Sequence, residues 1–227
     1  MEWRMAIARA VEHPRLALAF SGALVRGWYY RIKYRLLGQR VIIGKRFAVD
    51  GRLHIKGPGT VIFGDDCRVY SSSITPVTPY TQSPNAIIRF GHRVHLSGVR
   101  FSCAERIEVG DDSILAESRI LDTDFHAVET GGQHRSKTKG VTKPVILGSN
   151  VWIGTGAIIL KGVTIGANSV VGAGSVVVGS VKPNVVVLGN PARVVKRLED
   201  VALGAGSTDR SPAFQDGCPE SQALPEK

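Results

Sequence analysis

Apolar residues recur every six positions through the C-terminal part of the chain. Leu147, Ile153, Ile159, Ile165, Val171 and Val177 keep this spacing without a slip. Two places before each of the last five stand Val151, Ala157, Val163, Ser169 and Ser175, all small or β-branched. Three places after the first five stand Asn150, Gly156, Gly162, Asn168 and Gly174, the residue types that best tolerate a positive φ. A strand turns its side chains to alternate sides, so positions i and i+4 of a hexamer point the same way. The Gly or Asn then turns the chain into the next short strand. Three such strands close a triangular coil of about eighteen residues, and stacked coils bury a column of Val, Ile and Leu between parallel-paired backbones. An amphipathic helix needs apolar residues at i, i+3, i+4 and i+7, which the segment does not sustain.

The same pattern runs earlier with breaks. Ile43, Val49, Ile55 and Val61 keep step, Phe63-Gly64 shifts the register by two towards Val69, Phe90-Gly91 leads to Leu96, and Val109-Gly110, Leu115 and Leu121 resume it. Residues 41–190 are therefore expected to form one all-β solenoid, interrupted near 71–86 and 122–146. A sandwich of unrelated short strands is the competing architecture, but its turns are spaced less regularly.

The ends differ from this middle. Residues 1–46 hold ten Arg and Lys against Glu2 and Glu12, a local charge of 10 − 2 = +8. Within residues 1–40, RLALAFSGALVRGWYYRIKYRLLG predicts one helix or two, with basic residues interleaved among Trp28, Tyr29, Tyr30 and Tyr34. Its apolar run, Leu16 to Val25, is too short to span a bilayer, and Glu2, Glu12 and His13 make a poor signal peptide. Such a segment suits a cap on the first coil, which solenoids need, and also peripheral contact with an anionic membrane. No nucleic-acid-binding module accompanies the charge. Residues 191–203 are expected to cap the other end, and 204–227, rich in Gly, Ser and Pro, to be disordered. Cys67, Cys103 and Cys218 are scattered without metal-ligand spacing, which suits small core or surface thiols in a reducing, cytoplasmic setting.

Candidate chemistry lies in the second interruption. It opens with Asp122-Thr123-Asp124-Phe125-His126 and continues through Arg135, Lys137, Lys139 and Lys143, a flexible basic flap by composition. Histidine is the side chain best matched to proton transfer near neutrality. Asp122 and Asp124 are placed to orient its ring through one nitrogen and leave the other free to take a proton. An ordinary loop histidine is the alternative.

The stretch from Ser149 to Leu198, with NVWIG, GVTIG, GAGS and GNPAR, resembles the C-terminal half of hexapeptide-repeat O-acetyltransferases of the galactoside, maltose and nodulation-factor type. DTDFH, a loop and then NVWIG are similar to the branch that acetylates bacterial surface polysaccharides. The resemblance implies a left-handed parallel β-helix, a homotrimer, acetyl-CoA as co-substrate without a metal, and active sites between neighbouring subunits. It implies His126 as general base towards a sugar hydroxyl and the Thr155 N–H as oxyanion donor. It implies Trp152 at the acyl and acceptor region, Ala173 beside the pantetheine arm, and Arg193 and Lys196 near the CoA phosphates. Packing at a subunit seam is the alternative for Trp152, and a solvated face that for the two cations.

Two departures bear on the acceptor. The galactoside enzymes carry an asparagine about thirty residues before the histidine, where this chain has Leu96-Ser97-Gly98, and the helical module of the maltose enzymes is replaced by the basic aromatic segment. Both point to a glycan or lipid-linked sugar at the inner face of a membrane. An N-acetyltransferase for aminosugars shares the fold and the base. A γ-type carbonic anhydrase would need His92, His95 and His126 around zinc, but residues three apart on a strand point to opposite sides. A scaffold of decayed repeats is opposed by DTDFH and NVWIG occurring together.

Overall fold

The computed structural model describes residues 14–71, 75–129 and 131–198. The segment expected to be disordered, 204–227, lies outside them, as do residues 1–13 and the end of the expected C-terminal cap.

The chain winds through three parallel sheets, one strand from each in turn. The first face stacks β1 (Val41–Ile43), β3 (Thr60–Phe63), β6 (Ile87–Phe90), β9 (Arg106–Val109), β12 (Val145–Leu147) and β15 (Thr164–Ile165). The second stacks β2 (Ala48–Asp50), β4 (Arg68–Tyr70), β7 (His95–Ser97), β10 (Ile114–Ala116), β13 (Trp152–Ile153), β16 (Val170–Val171) and β18 (Val185–Gly189), closed by the antiparallel β19 (Ala192–Arg197). The third stacks β5 (Thr78–Thr81), β8 (Arg100–Cys103), β11 (Arg119–Leu121), β14 (Ile158–Ile159) and β17 (Val176–Val177).

The six-residue step is the face-to-face step. Ile153, Ile159, Ile165, Val171 and Val177 fall on the second, third, first, second and third faces, all buried. Each stacks in register on an equivalent residue one coil away. Phe63, Phe90, Val109, Leu147 and Ile165 form one column, and Val69, Leu96, Leu115, Ile153 and Val171 another. The residues expected to turn the chain do so at positive φ: Asn150 (55), Gly156 (74), Gly162 (75), Asn168 (59) and Gly174 (67).

The first interruption is shorter than expected. Thr78–Thr81 is a strand of the third face, paired with β8. Its sequence, TPYT, carries no aliphatic signal, and Thr81 is buried because its hydroxyl accepts from Gly59 N at 2.9 Å and donates to Lys56 O.

The one α-helix among the described residues, α1 (Pro14–Leu36), packs against β2 and β1 at the open end of the coil. Ala23, Gly27, Tyr30 and Tyr34 form its buried side. The Tyr34 hydroxyl donates to Leu53 O and accepts from Ile55 N, both at 3.0 Å, and the Tyr30 hydroxyl accepts from Leu53 N at 3.2 Å. These bonds satisfy polar backbone groups that a first coil otherwise leaves bare. Gly27 lets the helix touch the chain: a Cβ there would lie 1.9 Å from Phe47 O. In a free helix Gly→Ala stabilises by about 1 kcal/mol. Here Gly27→Ala is expected to reverse that sign, costing about 1–3 kcal/mol by overpacking and lowering the melting temperature followed by circular dichroism.

Candidate active site

The protruding loop leaves the third face after Leu121 and rejoins the first at Val145. Its base is an antiparallel bridge between Thr123 and Thr142, flanked by Asp124 N to Val141 O (3.1 Å) and Lys143 N to Asp122 O (2.9 Å). Phe125 has φ +64, and the His126 N–H donates to Asp124 O at 2.7 Å. This is a γ-turn of the strained hand, costing about 1–3 kcal/mol for a bulky central residue. It presents the His126 side chain to solvent.

The rest of the loop holds this turn in place. The Arg135 guanidinium donates to Ala127 O and Val128 O, each at 2.7 Å. The Thr138 hydroxyl accepts from Ala127 N and donates to Arg135 O. Gly140 backs the turn so closely that a Cβ would lie 2.8 Å from Phe125 N and 2.9 Å from His126 N. Arg135, read from composition as part of a flexible flap, is instead a clasp. A displacement of about 1 Å can cost roughly 10²-fold in rate. Gly140→Ala is therefore expected to lower the turnover number at least about tenfold while the melting temperature moves little, checked by steady-state kinetics beside a thermal melt.

The two carboxylates expected to orient the histidine are engaged elsewhere. Asp122 is fully buried and accepts from Ala104 N (2.7 Å), Glu105 N (2.8 Å) and Arg106 N (2.9 Å). It ties down the corner of the preceding coil. Asp124 pairs with Lys161 Nζ at 2.7 Å, which fastens the loop to the following coil. Neither carboxylate is recorded in a hydrogen bond to the His126 ring, because Asp122 points inward in the strand alternation and the turn at Phe125 carries the ring away. Burial, then the nearby Asp122 carboxylate, pushes the Cys103 thiol far above its ordinary value, and burial pushes Cys67 to about 11. Neither is a nucleophile near neutral pH.

A second group of residues lines another edge of the prism, where the second face turns into the third. Trp152 stands outward on β13, 54% exposed. Its register neighbours are Ile114 on one side and Val170 on the other, continuing to His95 and to Val186. Thr155 follows at the corner, and Ala173 occupies the same corner one coil on, with Gly174 N donating to Thr155 O at 2.8 Å. Among the described residues, no backbone carbonyl is recorded as accepting the Thr155 or Ala173 N–H. Arg193 lies opposite Leu188, which covers Gly172, and Lys196 lies opposite Val186. Thr155 and Ala173 thus follow one another along one edge at the rung spacing of about 4.8 Å, and Arg193 lies two rungs beyond Ala173, across β18.

At the other border of the second face, where the first face turns into it, a cleft of about 450 Å³ is lined by Asp66, Arg68, Arg93, His95, Asp112 and Ile114. Arg93 grips Asp112 at 2.6 and 2.8 Å and holds its carboxyl below the usual range. Burial, then the Arg68 charge, keeps the His95 imidazole below its ordinary value. His92 is turned to the corner, where its Nδ1 accepts from Asp65 N at 3.0 Å. Where the galactoside enzymes have their asparagine, Leu96 points into the core and Ser97 outward.

One chain does not bring all these residues together. His126 lies where the third face turns to the first, whereas Thr155 and Ala173 lie at the opposite border of the third face, with Trp152 on the second face beside them and Arg193 on β19. Sequence reasoning missed Phe125, Gly140 and the Arg135 clasp. A positive φ at phenylalanine leaves no compositional trace, and a lone glycine in a lysine-rich loop reads as ordinary loop.

A model of the bacterial transferase hexapeptide family, six repeats long, matches residues 144–179. Nodulation protein L of Rhizobium meliloti is 38% identical over 124 residues, covering 49% of this chain and 67% of that protein. The chain belongs to the hexapeptide-repeat acetyltransferase family. Galactoside O-acetyltransferase of Escherichia coli is 40% identical over 96 residues, 41% of this chain and 45% of the enzyme. The chain thus spans about half to two thirds of the length of these relatives. Among solved structures, a point mutant of AntD, an N-acyltransferase from Bacillus cereus, in complex with dTDP-4-amino-4,6-dideoxyglucose and coenzyme A, shares the fold with a TM-score of 0.58 at 21% identity. That likeness covers 74% of this chain and 89% of AntD. The fold is the left-handed parallel β-helix that the family resemblance implied, with its N-terminal helical cap and protruding loop.

Proposed function

We propose that this protein transfers an acetyl group from acetyl-CoA to a sugar hydroxyl. The acceptor is a bacterial surface polysaccharide or its lipid-linked precursor, met at the cytoplasmic face of the membrane. The observation that carries this reading is the exposed His126, set on a strained turn that the Arg135 and Gly140 contacts hold in place. Such strain persists only where the surroundings over-determine it, and it concentrates at active sites.

In this reading His126 takes the proton of the acceptor hydroxyl as that oxygen attacks the thioester carbonyl. The oxyanion of the tetrahedral intermediate is met by the Thr155 N–H, a donor not recorded in a bond to another backbone carbonyl and fixed by the corner, so it needs no reorganisation. Collapse expels the CoA thiolate, which recovers the proton from the imidazolium. Ala173 leaves room for the pantetheine arm, Arg193 and Lys196 meet the phosphates, and Trp152 walls the acyl end of the cleft. Because His126 and Thr155 lie on different edges of one chain, the complete site needs a second copy, which fits a homotrimer with three sites between neighbours. Asp122 and Asp124 act through the loop and its supporting coils, as positioning residues.

Calorimetric titration of the purified protein with acetyl-CoA tests this reading without knowledge of the acceptor. Saturable binding is expected. Arg193→Ala should weaken it by about tenfold or more, since a hydrogen bond to a charged group is worth about 1.5–3 kcal/mol, and Lys196→Ala should weaken it less. Absence of binding at millimolar ligand would remove the acyl-CoA reading. Neutral sugars and aminosugars offered side by side then decide the acceptor atom, with transfer confined to amines sinking the hydroxyl assignment.

A further inference from the structure

Helix α1 has two apolar sides, and the fold uses one. The side formed by Ala23, Gly27, Tyr30 and Tyr34 is buried on the first coil. Leu18, Val25, Tyr29 and Leu36, spaced seven, four and seven apart, form a second stripe roughly opposite the first. Leu18 is 77% exposed, Val25 66% and Leu36 81%, and Trp28 beside them is 63% exposed. So many large apolar side chains left bare in one stripe mark an interaction surface rather than ordinary surface variation.

The charge around the stripe identifies the partner. The helix contains no acidic residue. By helical position, Arg26 and Lys33 border the stripe on one side and Arg35 on the other; Arg26 is paired with Asp50 at 2.8 Å, and Arg31 lies nearer the buried side, where its guanidinium donates to Gly44 O. Two copies of this surface meeting face to face would set like charges against each other, which disfavours pairing of the helices. An anionic surface with an apolar interior is complementary to both features at once. No described helix is long and apolar enough to cross a membrane.

We propose that the outward side of α1 is a docking surface for an anionic phospholipid bilayer, on which the helix lies flat with Leu18, Val25, Tyr29 and Leu36 inserted at the headgroup level. Lys33 and Arg35, one on each border, meet the phosphates. Trp28 and Tyr29 suit the interface, where one end of an aromatic side chain is apolar and the other wet. In the threefold assembly of the preceding section, symmetry puts all three helices at the same end of the particle. One bilayer then engages three weak surfaces together, and their linkage multiplies the affinity. The acetyl-transfer reading is not required for the docking itself.

The test is flotation of the full-length protein with vesicles of phosphatidylcholine alone and of phosphatidylcholine mixed with phosphatidylglycerol. The protein is expected to float with the anionic vesicles, to stay behind with the neutral ones, and to be released by salt within the range where exposed charges are screened. Leu18→Ser, Val25→Ser and Leu36→Ser combined should weaken flotation by about tenfold or more and leave the melting temperature and acetyl-CoA binding as in the parent. Leu36→Ser alone, near the helix end and most exposed, gives the same direction if the triple variant folds poorly. Arg35→Gln should reduce binding to anionic vesicles and flatten its salt dependence. The proposal is overturned if the parent ignores anionic vesicles or if the serine variants float as well as the parent. A change of particle size in light scattering for those variants would also overturn it, since the stripe would then be covered by copies of the chain. Acetyl-CoA titration of the same samples separates failure of docking from failure of the proposed chemistry.

Discussion

His126→Ala is expected to lower turnover by about 10²–10⁴-fold, the usual contribution of a positioned general base, while acetyl-CoA still binds as it does to the parent. The ring is exposed and supports no packing, so its removal should leave the melting temperature within about 0.5 kcal/mol of equivalent stability. The strained turn at Phe125 is closed through the His126 backbone N–H and not its ring, and it survives the substitution. His126→Gln keeps a polar group of similar reach but cannot accept and return a proton near neutrality, and it should be nearly as impaired. Single-turnover kinetics beside calorimetry separates the outcomes. A variant that binds acetyl-CoA and transfers at the parent rate would refute the assignment. One that loses acetyl-CoA binding would make His126 part of the donor site instead.

Asp122→Ala is expected to be the most damaging single change to stability in the loop region. Its carboxylate is fully buried and accepts three backbone N–H bonds from Ala104, Glu105 and Arg106. Alanine leaves those donors without their acceptor, at about 1–3 kcal/mol for each one left unsatisfied in the interior. A loss of about 3 kcal/mol or more corresponds to a fall of roughly 6–12 °C in melting temperature for a domain of this size. Asp122→Asn should also destabilise, because its amide can turn an oxygen to only part of the cluster. Were Asp122 instead the partner that orients His126, the asparagine variant would shift the pH profile of kcat/KM. With Asp122 in the corner, that profile is expected to stay where it is in whatever fraction remains folded.

Asp122 and Asp124 show where reading along the chain stops being sufficient. Two carboxylates within four residues of a histidine suggested an oriented base, and sequence proximity was the whole of the argument. In the folded chain one acid serves the coil before the loop and the other the coil after it. The histidine is held by Arg135, Thr138 and Gly140 from the far side of the loop, residues nine to fourteen positions on. Contacts of that kind depend on how the loop closes upon itself, and no period or spacing records them. TPYT at Thr78–Thr81 makes the same point for the fold: a strand can occupy a core position with a buried threonine when neighbouring coils supply the hydrogen bonds.

The repeat was legible from Leu147 on, whereas Leu121, read as one of its positions, yields the core to Ile120, which stacks between Phe101 and Ile159. The six-residue spacing of Leu147 to Val177, with Gly or Asn at each turn, determined the coil, its three faces and the buried column, because strand alternation and positive-φ turns are local properties that a sequence displays directly. The same local logic placed a basic aromatic helix ahead of the first coil. What only the tertiary structure decided is which groups meet: the corner that Asp122 ties, the clasp on the His126 turn, the two apolar sides of α1, and the separation of His126 from Thr155 on different edges of the prism. Those follow from the stacking of coils, which sets residues about twenty positions apart within hydrogen-bonding distance and leaves sequence neighbours on opposite sides.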